Sequence, residues 1–219
     1  DYLTRRRAAR HPRIRCCDNQ PVTDAAAPSR RPWTLAVFLV VAGAAGLWAS
    51  FQLTLDKIAV LENPKAGLNC NISPFVQCGE NLSSWQGSAF GFPNPIIGLG
   101  AFTAVIAVGV SLLADARFDR WYWGLFNFGI AAGLAFTIWL IGQSAYVLGT
   151  LCPWCALVYL VMFPLFWIVT LRNAAAGVFG QPFVRIGRVL LPWAAPIALV
   201  CLIVVGLLFQ LQLDVLHHL

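Results

Sequence analysis

The sequence predicts an all-α membrane protein with five transmembrane helices. Of its 219 residues, 59% are hydrophobic and only 11% are charged, and the mean hydropathy is +0.72. A soluble globular domain usually has about a quarter of charged residues, so this chain has too few charges to cover a water-facing surface. The composition therefore argues against a soluble enzyme, a nucleic-acid-binding protein and a disordered chain, although the isoelectric point is near 9.2.

Five stretches are long enough, and free enough of basic residues, to cross a bilayer. A transmembrane helix needs roughly 20 apolar residues. Helices are expected because an open sheet would leave its backbone polar groups unpaired in lipid. The five stretches are residues 33–55, 95–114, 121–145, 151–171 and 189–213.

The arginines predict the orientation of the chain, because basic residues between membrane helices accumulate on the cytoplasmic side. Eight arginines precede the first stretch, two lie between the second and third, and three lie between the fourth and fifth, whereas the opposite side has only Lys57 and Lys65. We therefore expect a cytoplasmic Arg-rich tail (1–32), a cytoplasmic loop (172–188), and a fifth helix with a short outer tail (189–219). This bias accounts for the formal net charge of +6 without an anionic ligand.

An outer loop of unusual length, residues 56–94, follows the first helix. Loops longer than about 15 residues are usually functional or disordered. The loop contains Cys70 and Cys78, and the outer end of the fourth stretch contains Cys152 and Cys155 in the sequence Cys-Pro-Trp-Cys. Four thiols on an oxidising face, two of them as Cys-x-x-Cys, indicate dithiol–disulfide chemistry.

Two other interpretations of these four cysteines are open. A tetrathiolate zinc site also needs four converging sulfurs, but structural zinc sites usually have short spacings in both pairs, and seven residues separate Cys70 from Cys78. Two structural disulfides would also use all four cysteines, but Cys-x-x-Cys closes a ring too small to gain much loop entropy. We therefore expect no metal.

The other three cysteines have no predicted redox role. Cys16 and Cys17 lie in the predicted cytoplasmic tail, where thiols stay reduced. Cys201 lies in the middle of the fifth stretch, where cysteine behaves as a small apolar residue. We expect Cys201 to contribute to packing.

Cys152 is expected to cap the fourth membrane helix. Pro153 follows it, and proline is favoured at the first helical position because its missing N–H has no helical partner there. Both sulfurs would then lie near unpaired N–H groups and the positive end of the helix dipole, which favour thiolate. Tyr159 lies one turn beyond Cys155, and helical side chains lean towards the N-terminus. Its hydroxyl should lie near the Cys155 sulfur, where an electron acceptor would have to be lipid soluble.

In their order along the chain, these features resemble the vitamin K epoxide reductase family. The shared motifs are Cys-x7-Cys in the outer loop, Leu-Ser-Ser-Trp (82–85), Ala-Phe-Gly (89–91), Asn-Pro-Ile-Ile-Gly (94–98) and Cys-Pro-Trp-Cys-x3-Tyr. The resemblance covers residues 55–166. It implies a four-helix catalytic core (33–171) around a quinone, which opens to the outer face under the loop, with the fifth helix at the periphery.

The resemblance also implies an electron path through the cysteines. A partner dithiol would reduce the shuttle pair Cys70/Cys78, this pair would reduce Cys152/Cys155, and the inner pair would reduce the quinone. In this path Cys78 would exchange with Cys152, and Cys155 would face the quinone ring.

A quinone site is implied by the same motifs. Asn94 and Tyr159 match the family's hydrogen-bond donors to the two oxygens of a menaquinone or ubiquinone. Such donors stabilise the negative charge that a quinone oxygen gathers on reduction. Four loop residues would form an apolar lid over the quinone: Leu82, Trp85, Phe90 and Phe92. Alternatively, these side chains anchor the loop at the membrane surface.

The Arg-rich tail, the fifth membrane segment and the Pro-Trp pair are similar to those of bacterial, especially actinobacterial, homologues. There the family reoxidises a thioredoxin-fold oxidase of the DsbA type, so that exported proteins acquire disulfides. We therefore expect a bacterial inner-membrane protein with a cytoplasmic N-terminus, an active site on the outer face and, since the chain ends at Leu219, a separate partner. Vitamin K epoxide or quinone reduction is a second possible function, and a four-cysteine metal-binding or structural membrane protein is a third.

Overall fold

A computed structural model describes residues 33–63, 67–68, 70–73 and 75–213 of the chain. All regular elements within these ranges are helical, which confirms the all-α prediction. The α-helices are α1 (Trp33–Glu62), α2 (Gly79–Ser83), α3 (Pro95–Leu113), α4 (Arg120–Gly142), α5 (Pro153–Ala175), α6 (Gln181–Leu190) and α7 (Ala194–Leu213). A π-helical turn, Gln143–Leu148, continues α4. Two short 3₁₀ turns occur at Trp85–Ser88 and Leu191–Trp193.

Five helical segments are long and apolar enough to cross a membrane, which confirms the predicted number and order. They are Trp33–Glu62, Pro95–Leu113, Arg120–Leu148, Pro153–Ala175 and Gln181–Leu213. A helix satisfies its own backbone hydrogen bonds, so each segment suits the hydrocarbon region. The protein is a multi-pass membrane protein.

Helices α1, α3, α4 and α5 form the core of the fold. α1 packs along α3 and also against α5, and α5 packs against α4. Gly46 permits the close approach of α1 and α3, because a Cβ there would overlap the Phe102 ring. Leu39, Leu165 and Val169 are fully buried in this core. α7 packs against the outside of α5 and buries few of its side chains, so it is peripheral.

The outer loop begins later than the sequence predicts. The charges of Asp56 and Lys57 end the apolar run, yet α1 continues for about two more turns to Glu62. Lys57 is only 7% exposed, and its ammonium donates a hydrogen bond to the Leu82 carbonyl oxygen in α2. A buried charge needs such a partner. This bond therefore permits the longer helix and ties its end to the loop.

The predicted loop at 172–188 is also largely helical. α5 ends in a turn with two glycines at positive φ, Gly177 (75°) and Gly180 (99°), a conformation that glycine adopts without steric strain. α6 follows at once and packs against the end of α5, where a Cβ on Gly187 would overlap Ala174. Polar residues and arginines in this stretch hide the helix from a search for apolar runs.

Asn173 joins α5 to α4 through a buried polar cluster. Its side chain is fully buried. Its Nδ2 lies 3.3 Å from both the Trp123 carbonyl oxygen and Asn127 Oδ1, and its Oδ1 accepts a hydrogen bond from Arg172 Nη1 at 3.0 Å. The Arg172 guanidinium lies 4.0 Å from the centre of the Trp123 ring, as in a cation–π interaction. The cluster gives hydrogen-bond partners to polar groups for which lipid tails offer none.

We expect Asn173→Leu to lower the free energy of unfolding by about 1–2 kcal/mol, because Asn127 Oδ1 would lose a buried donor. Denaturant unfolding in detergent micelles measures the change. The matched controls are Asn127→Leu and the double variant Asn127→Leu/Asn173→Leu. The double variant should lose less unfolding free energy than the sum of the losses in the two single variants. Strictly additive effects would mean that the two amides do not interact.

Candidate active site

A disulfide joins Cys70 and Cys78 in the outer loop. Both residues are buried. The Asn71 side chain organises the turn between them, since its Oδ1 accepts hydrogen bonds from the backbone N–H of Cys78 (3.1 Å) and of Gly79 (3.4 Å). Cys78 is the N-cap residue of α2 and is therefore held at a fixed place in the cap over the bundle.

An isolated backbone pairing brings this loop to the start of α5. Val76 and Leu151 form a parallel bridge. The Gln77 N–H donates to the Leu151 carbonyl oxygen at 3.1 Å, and the Leu151 N–H donates to the Phe75 carbonyl oxygen at 2.8 Å. Leu151 directly precedes Cys152, so the bridge sets the distance between the loop cysteines and the inner pair.

Cys152 caps α5, as the sequence predicts. Pro153 is the first helical residue, and Cys152 Sγ accepts a hydrogen bond from the Cys155 N–H at 3.4 Å. The pKa of the Cys152 thiol is lowered, first by a hydrogen bond with the Cys155 side chain and further by the N–H groups of Cys155 and Trp154, which together outweigh desolvation by burial. A lower pKa increases the thiolate fraction and makes the sulfur a better leaving group.

Cys152 lies between the loop disulfide and the interior of the bundle. Its Sγ is 3.2 Å from Cys78 Sγ, and both side chains are fully buried. Cys152 and Cys155 are free thiols, whereas Cys70 and Cys78 are bonded. The four predicted cysteines therefore converge, with the loop pair oxidised and the inner pair reduced. A four-thiolate zinc site would require the loop disulfide to be reduced first.

An apolar cavity of about 310 Å³ lies beneath the cap, between α1, α3, α4 and α5. This volume is at the lower end of the range for small-molecule sites, which are mostly apolar with a few polar groups. Four residues singled out from the sequence line it: Leu82, Asn94, Cys155 and Tyr159. The cavity is therefore in direct contact with the inner cysteine pair through Cys155.

Asn94 contributes its amide to both the cap and the cavity. Its Nδ2 donates to the Gln86 carbonyl oxygen at 2.6 Å, and its Oδ1 accepts from the Ala89 N–H at 3.1 Å. An amide nitrogen carries two protons. The bond to Gln86 therefore leaves one proton for a ligand.

Tyr159 shares the cavity lining with a polar chain that the sequence analysis missed. Ser144 and Asn81 of this chain line the same cavity. Ser144 Oγ donates to Asn81 Oδ1 at 2.8 Å, and Asn81 Nδ2 donates to Thr150 Oγ1 at 3.0 Å. Ser144 belongs to the π-helical turn, a geometry often found at functional sites. A usable signal was present, because a polar residue inside a membrane segment is expensive and usually functional.

Gln86 and Gln143 add a second polar pair that was also missed. Gln86 Nε2 lies 3.2 Å from Gln143 Oε1, and both side chains line the cavity. The buried Gln86 Oε1 has no hydrogen-bond partner within the described part of the chain. It is an acceptor that a ligand hydroxyl in the cavity could satisfy.

The predicted lid residues occupy different positions. Leu82 is buried and lines the cavity. Trp85 is 68% exposed and packs on Trp139, and Phe90 is 60% exposed with its ring 5.3 Å from that of Phe136. These two rings form the outside of the cap rather than its lining, so direct quinone contact by Trp85 and Phe90 stays a prediction.

The remaining cysteines lie away from the site or outside the description. Cys201 is a half-buried free thiol in α7, where it packs against the core. Cys16 and Cys17 lie outside the described residues. Within the described ranges, the sulfurs that converge are therefore those of Cys70, Cys78, Cys152 and Cys155.

Comparison with known proteins places this site in a family. The model of the vitamin K epoxide reductase family matches residues 37–170, more than half of the chain. The matched range contains the loop disulfide, Cys152, Cys155 and every residue that lines the cavity. No curated protein and no solved structure matches the chain significantly. The chain therefore belongs to the vitamin K epoxide reductase family, whose members are membrane oxidoreductases that act on thiol–disulfide pairs and quinones.

Proposed function

We propose that the protein reoxidises a thioredoxin-fold partner of the DsbA type and passes the electrons to a membrane quinone. The position of Cys152 carries the proposal. Its Sγ lies 3.2 Å from Cys78 Sγ, while Cys155, three residues further along, lines the apolar cavity. The inner cysteine pair is thus in contact with the loop disulfide on one side and with a lipid-like cavity on the other.

The proposed electron path is a sequence of disulfide exchanges. A partner dithiol reduces the Cys70–Cys78 disulfide and itself becomes a disulfide. Cys78 then attacks Cys152 in a Cys152–Cys155 disulfide and releases Cys155, and Cys70 resolves the resulting Cys78–Cys152 bond. This sequence restores the loop disulfide and leaves Cys152 and Cys155 reduced, the same cysteine pairing that the structure has.

The polar groups that line the cavity support quinone binding there. A quinone supplies the capacity to accept two electrons and two protons. The free Asn94 amide proton and the Tyr159 hydroxyl are the proposed donors to its oxygens, and both residues line the cavity with Cys155. Donors already fixed in a dry site stabilise developing negative charge without reorganisation.

Small residues of α3 and α4 supply room for an isoprenoid tail. Ala101 and Ala104 of α3 and Gly129 and Gly133 of α4 line the cavity. A Cβ on Gly129 would have no neighbour within 4 Å. The tail of a bound quinone would therefore have room between these two helices.

The proposed setting is the bacterial cytoplasmic membrane. The distribution of the arginines supports a cytoplasmic location for residues 1–32 and the α5–α6 connection, and this orientation would put the loop disulfide and Cys152 on the oxidising outer side. In this scheme residues 33–171 are the catalytic core, and residues 189–219 hold the peripheral helix and a short outer tail.

Anaerobic mixing tests the function. The purified protein is mixed with a reduced DsbA-type partner and a menaquinone or ubiquinone analogue, and the quinone absorbance is followed. We expect quinone reduction that depends on the partner and leaves the partner oxidised in equal amount. Quinone reduction without partner oxidation would contradict the proposal. Vitamin K epoxide as the acceptor tests the alternative substrate, and bound zinc with no quinone reduction would favour a metal-binding role.

We expect Tyr159→Phe to slow quinone reduction by about 100-fold, the usual effect of removing one donor to a developing oxyanion. Exchange between the partner and the loop disulfide should keep its rate, because Tyr159 lines the cavity whereas the partner attacks the Cys70–Cys78 bond. Stopped-flow absorbance measures the first rate, and quenched alkylation measures the second. Tyr146→Phe is the matched control, since Tyr146 is an exposed residue of the π-helical turn that does not line the cavity. An unchanged quinone rate would mean that the hydroxyl does not face the quinone.

A further inference from the structure

Asp56 lies at the opposite end of the loop disulfide from Cys152. Its Oδ2 is 3.3 Å from Cys70 Sγ, whereas Cys152 Sγ is 3.2 Å from Cys78 Sγ. The carboxylate oxygen and the sulfurs of Cys70 and Cys78 all lie within 4.8 Å of one another. The order across the site is therefore carboxylate, Cys70, Cys78, Cys152.

Cys70 cannot donate a hydrogen bond to Asp56 in this redox state. A disulfide sulfur carries no proton, whereas the thiol of a reduced Cys70 carries one. Lys57, the adjacent cation, directs its ammonium to the Leu82 carbonyl oxygen instead. The carboxylate is thus set where the proton of a reduced Cys70 thiol would lie.

We propose that Asp56 is a catalytic residue that takes the proton from the Cys70 thiol during the internal exchange and returns it when the partner reduces the loop. The proposal rests on the proposed function. It assigns to the carboxylate a step that the four cysteines cannot perform alone, because Cys70 must lose a proton each time it closes the loop disulfide.

The step balances as follows. The Cys70 sulfur attacks Cys78 Sγ in the Cys78–Cys152 disulfide, the Cys70–Cys78 bond forms, and Cys152 leaves with the electron pair as a thiolate. The thiol proton of Cys70 moves to Asp56 Oδ2. One disulfide breaks and one forms, so no further oxidant is needed. In the next cycle the partner attacks the loop disulfide, and the Cys70 thiolate that is finally released takes the proton back from Asp56.

A base at this position answers a specific need of Cys70. An ordinary cysteine has a pKa of about 8.5, so only a few per cent is thiolate at neutral pH. Cys70 is buried, which limits proton transfer to bulk water. At the other end, hydrogen bonds from Cys155 lower the pKa of Cys152, which makes its sulfur a better leaving group. A positioned general base typically contributes 10²–10⁴-fold.

The groups around Asp56 set the expected pH dependence. Cys70 and Cys78 face it from the loop, Cys152 acts on it from the start of α5, and Lys57 follows it in α1. With the carboxylate ionised, the exchange rate should be nearly flat between about pH 6 and 8, because the base is always available. Without it, the rate should follow the thiolate fraction of Cys70 and rise about tenfold per pH unit below the thiol pKa.

A single-turnover experiment isolates this step. Fully reduced full-length protein in nanodiscs is mixed anaerobically with a short-chain quinone analogue. Quinone absorbance reports oxidation of the Cys152/Cys155 pair, and acid quench, alkylation and mass spectrometry report formation of the Cys70–Cys78 disulfide. For Asp56→Asn we expect a normal quinone burst, but loop disulfide formation at least about tenfold slower at pH 7, with a deficit that shrinks as pH rises.

Two matched variants separate chemistry from structure. Glu62→Gln removes a carboxylate from the same helix and should behave like the wild type. Asp56→Glu keeps a carboxylate and should retain a flat pH profile at an intermediate rate. If Asp56→Asn does not fold and therefore lacks the quinone burst, Asp56→Glu alone decides the test. Loop disulfide formation that rises tenfold per pH unit in Asp56→Glu would overturn the proposal.

The outcomes distinguish this inference from the function on which it rests. No quinone burst in the wild type would overturn the proposed function itself. A normal wild type, with Asp56→Asn forming the loop disulfide equally fast at every pH, would overturn only the role of Asp56. A slower Asp56→Asn with the same deficit at every pH would also overturn it, because a merely structural carboxylate acts in that way.

Discussion

Cys152→Ser is expected to abolish partner-dependent quinone reduction, with a loss of roughly 1,000-fold or more, as for removal of an essential nucleophile. Cys152 Sγ is the sulfur that contacts the loop disulfide, 3.2 Å from Cys78 Sγ. A serine hydroxyl cannot form or break a disulfide. Electrons that reach Cys78 from the partner would therefore have no route to Cys155 and the cavity.

Serine is a suitable replacement because the fold should survive the change. Cys152 is the N-cap of α5, and serine is among the best N-cap residues, since its oxygen accepts the same backbone N–H. The partner should still reduce the Cys70–Cys78 disulfide of the variant, which quenched alkylation measures separately from the quinone absorbance. A normal rate of loop-disulfide reduction, measured by alkylation, together with no change in quinone absorbance would locate the defect at Cys152.

Cys201→Ser is the matched control for a cysteine outside the path. Cys201 is a half-buried free thiol in α7 and is not among the residues that line the cavity. It should keep the wild-type rate of quinone reduction. Full turnover by Cys152→Ser would contradict the proposed electron path, whatever the control shows.

The membrane helices and the α5 cap were predictable because their signals are local. Apolar runs reveal membrane helices, since the bilayer demands them from each segment on its own. Cys152 followed by Pro153 indicates a helix start from the properties of two adjacent residues. Tyr159 follows Cys155 at helical spacing, and both line the same cavity.

Features that depend on tertiary contacts were not predictable. α1 continues past Asp56 and Lys57 because the Lys57 ammonium has a partner in α2, far away in sequence. The bridge between Val76 and Leu151 holds the loop against the start of α5, but no sequence pattern in either segment indicates it. Aromatic character alone likewise could not tell that Trp85 lies outside the cavity.

Cys155→Ala is expected to abolish quinone reduction and to expose the contact between the two cysteine pairs. The proposed path forms a Cys78–Cys152 bond as an intermediate, which either Cys70 or Cys155 could break. Without Cys155 the quinone-facing route is lost, and only Cys70 can resolve the bond. We therefore expect a fraction of the oxidised variant to contain a Cys78–Cys152 disulfide, detected by non-reducing peptide mass spectrometry.

The amount trapped depends on the competition between Cys70 and Cys152 for Cys78. Cys155 lowers the pKa of Cys152 by hydrogen bonding to it, so its loss makes the Cys152 thiolate a poorer leaving group and favours the bond to Cys78. Removing the competitor as well, in Cys70→Ser/Cys155→Ala, should make the Cys78–Cys152 disulfide nearly complete once oxidised glutathione is added to accept the two electrons and two protons. Cys152→Ser/Cys155→Ala must show none. Absence of the bond from the Cys70→Ser/Cys155→Ala protein would mean that two sulfurs 3.2 Å apart do not exchange, and the electron path would have to leave the loop by another residue.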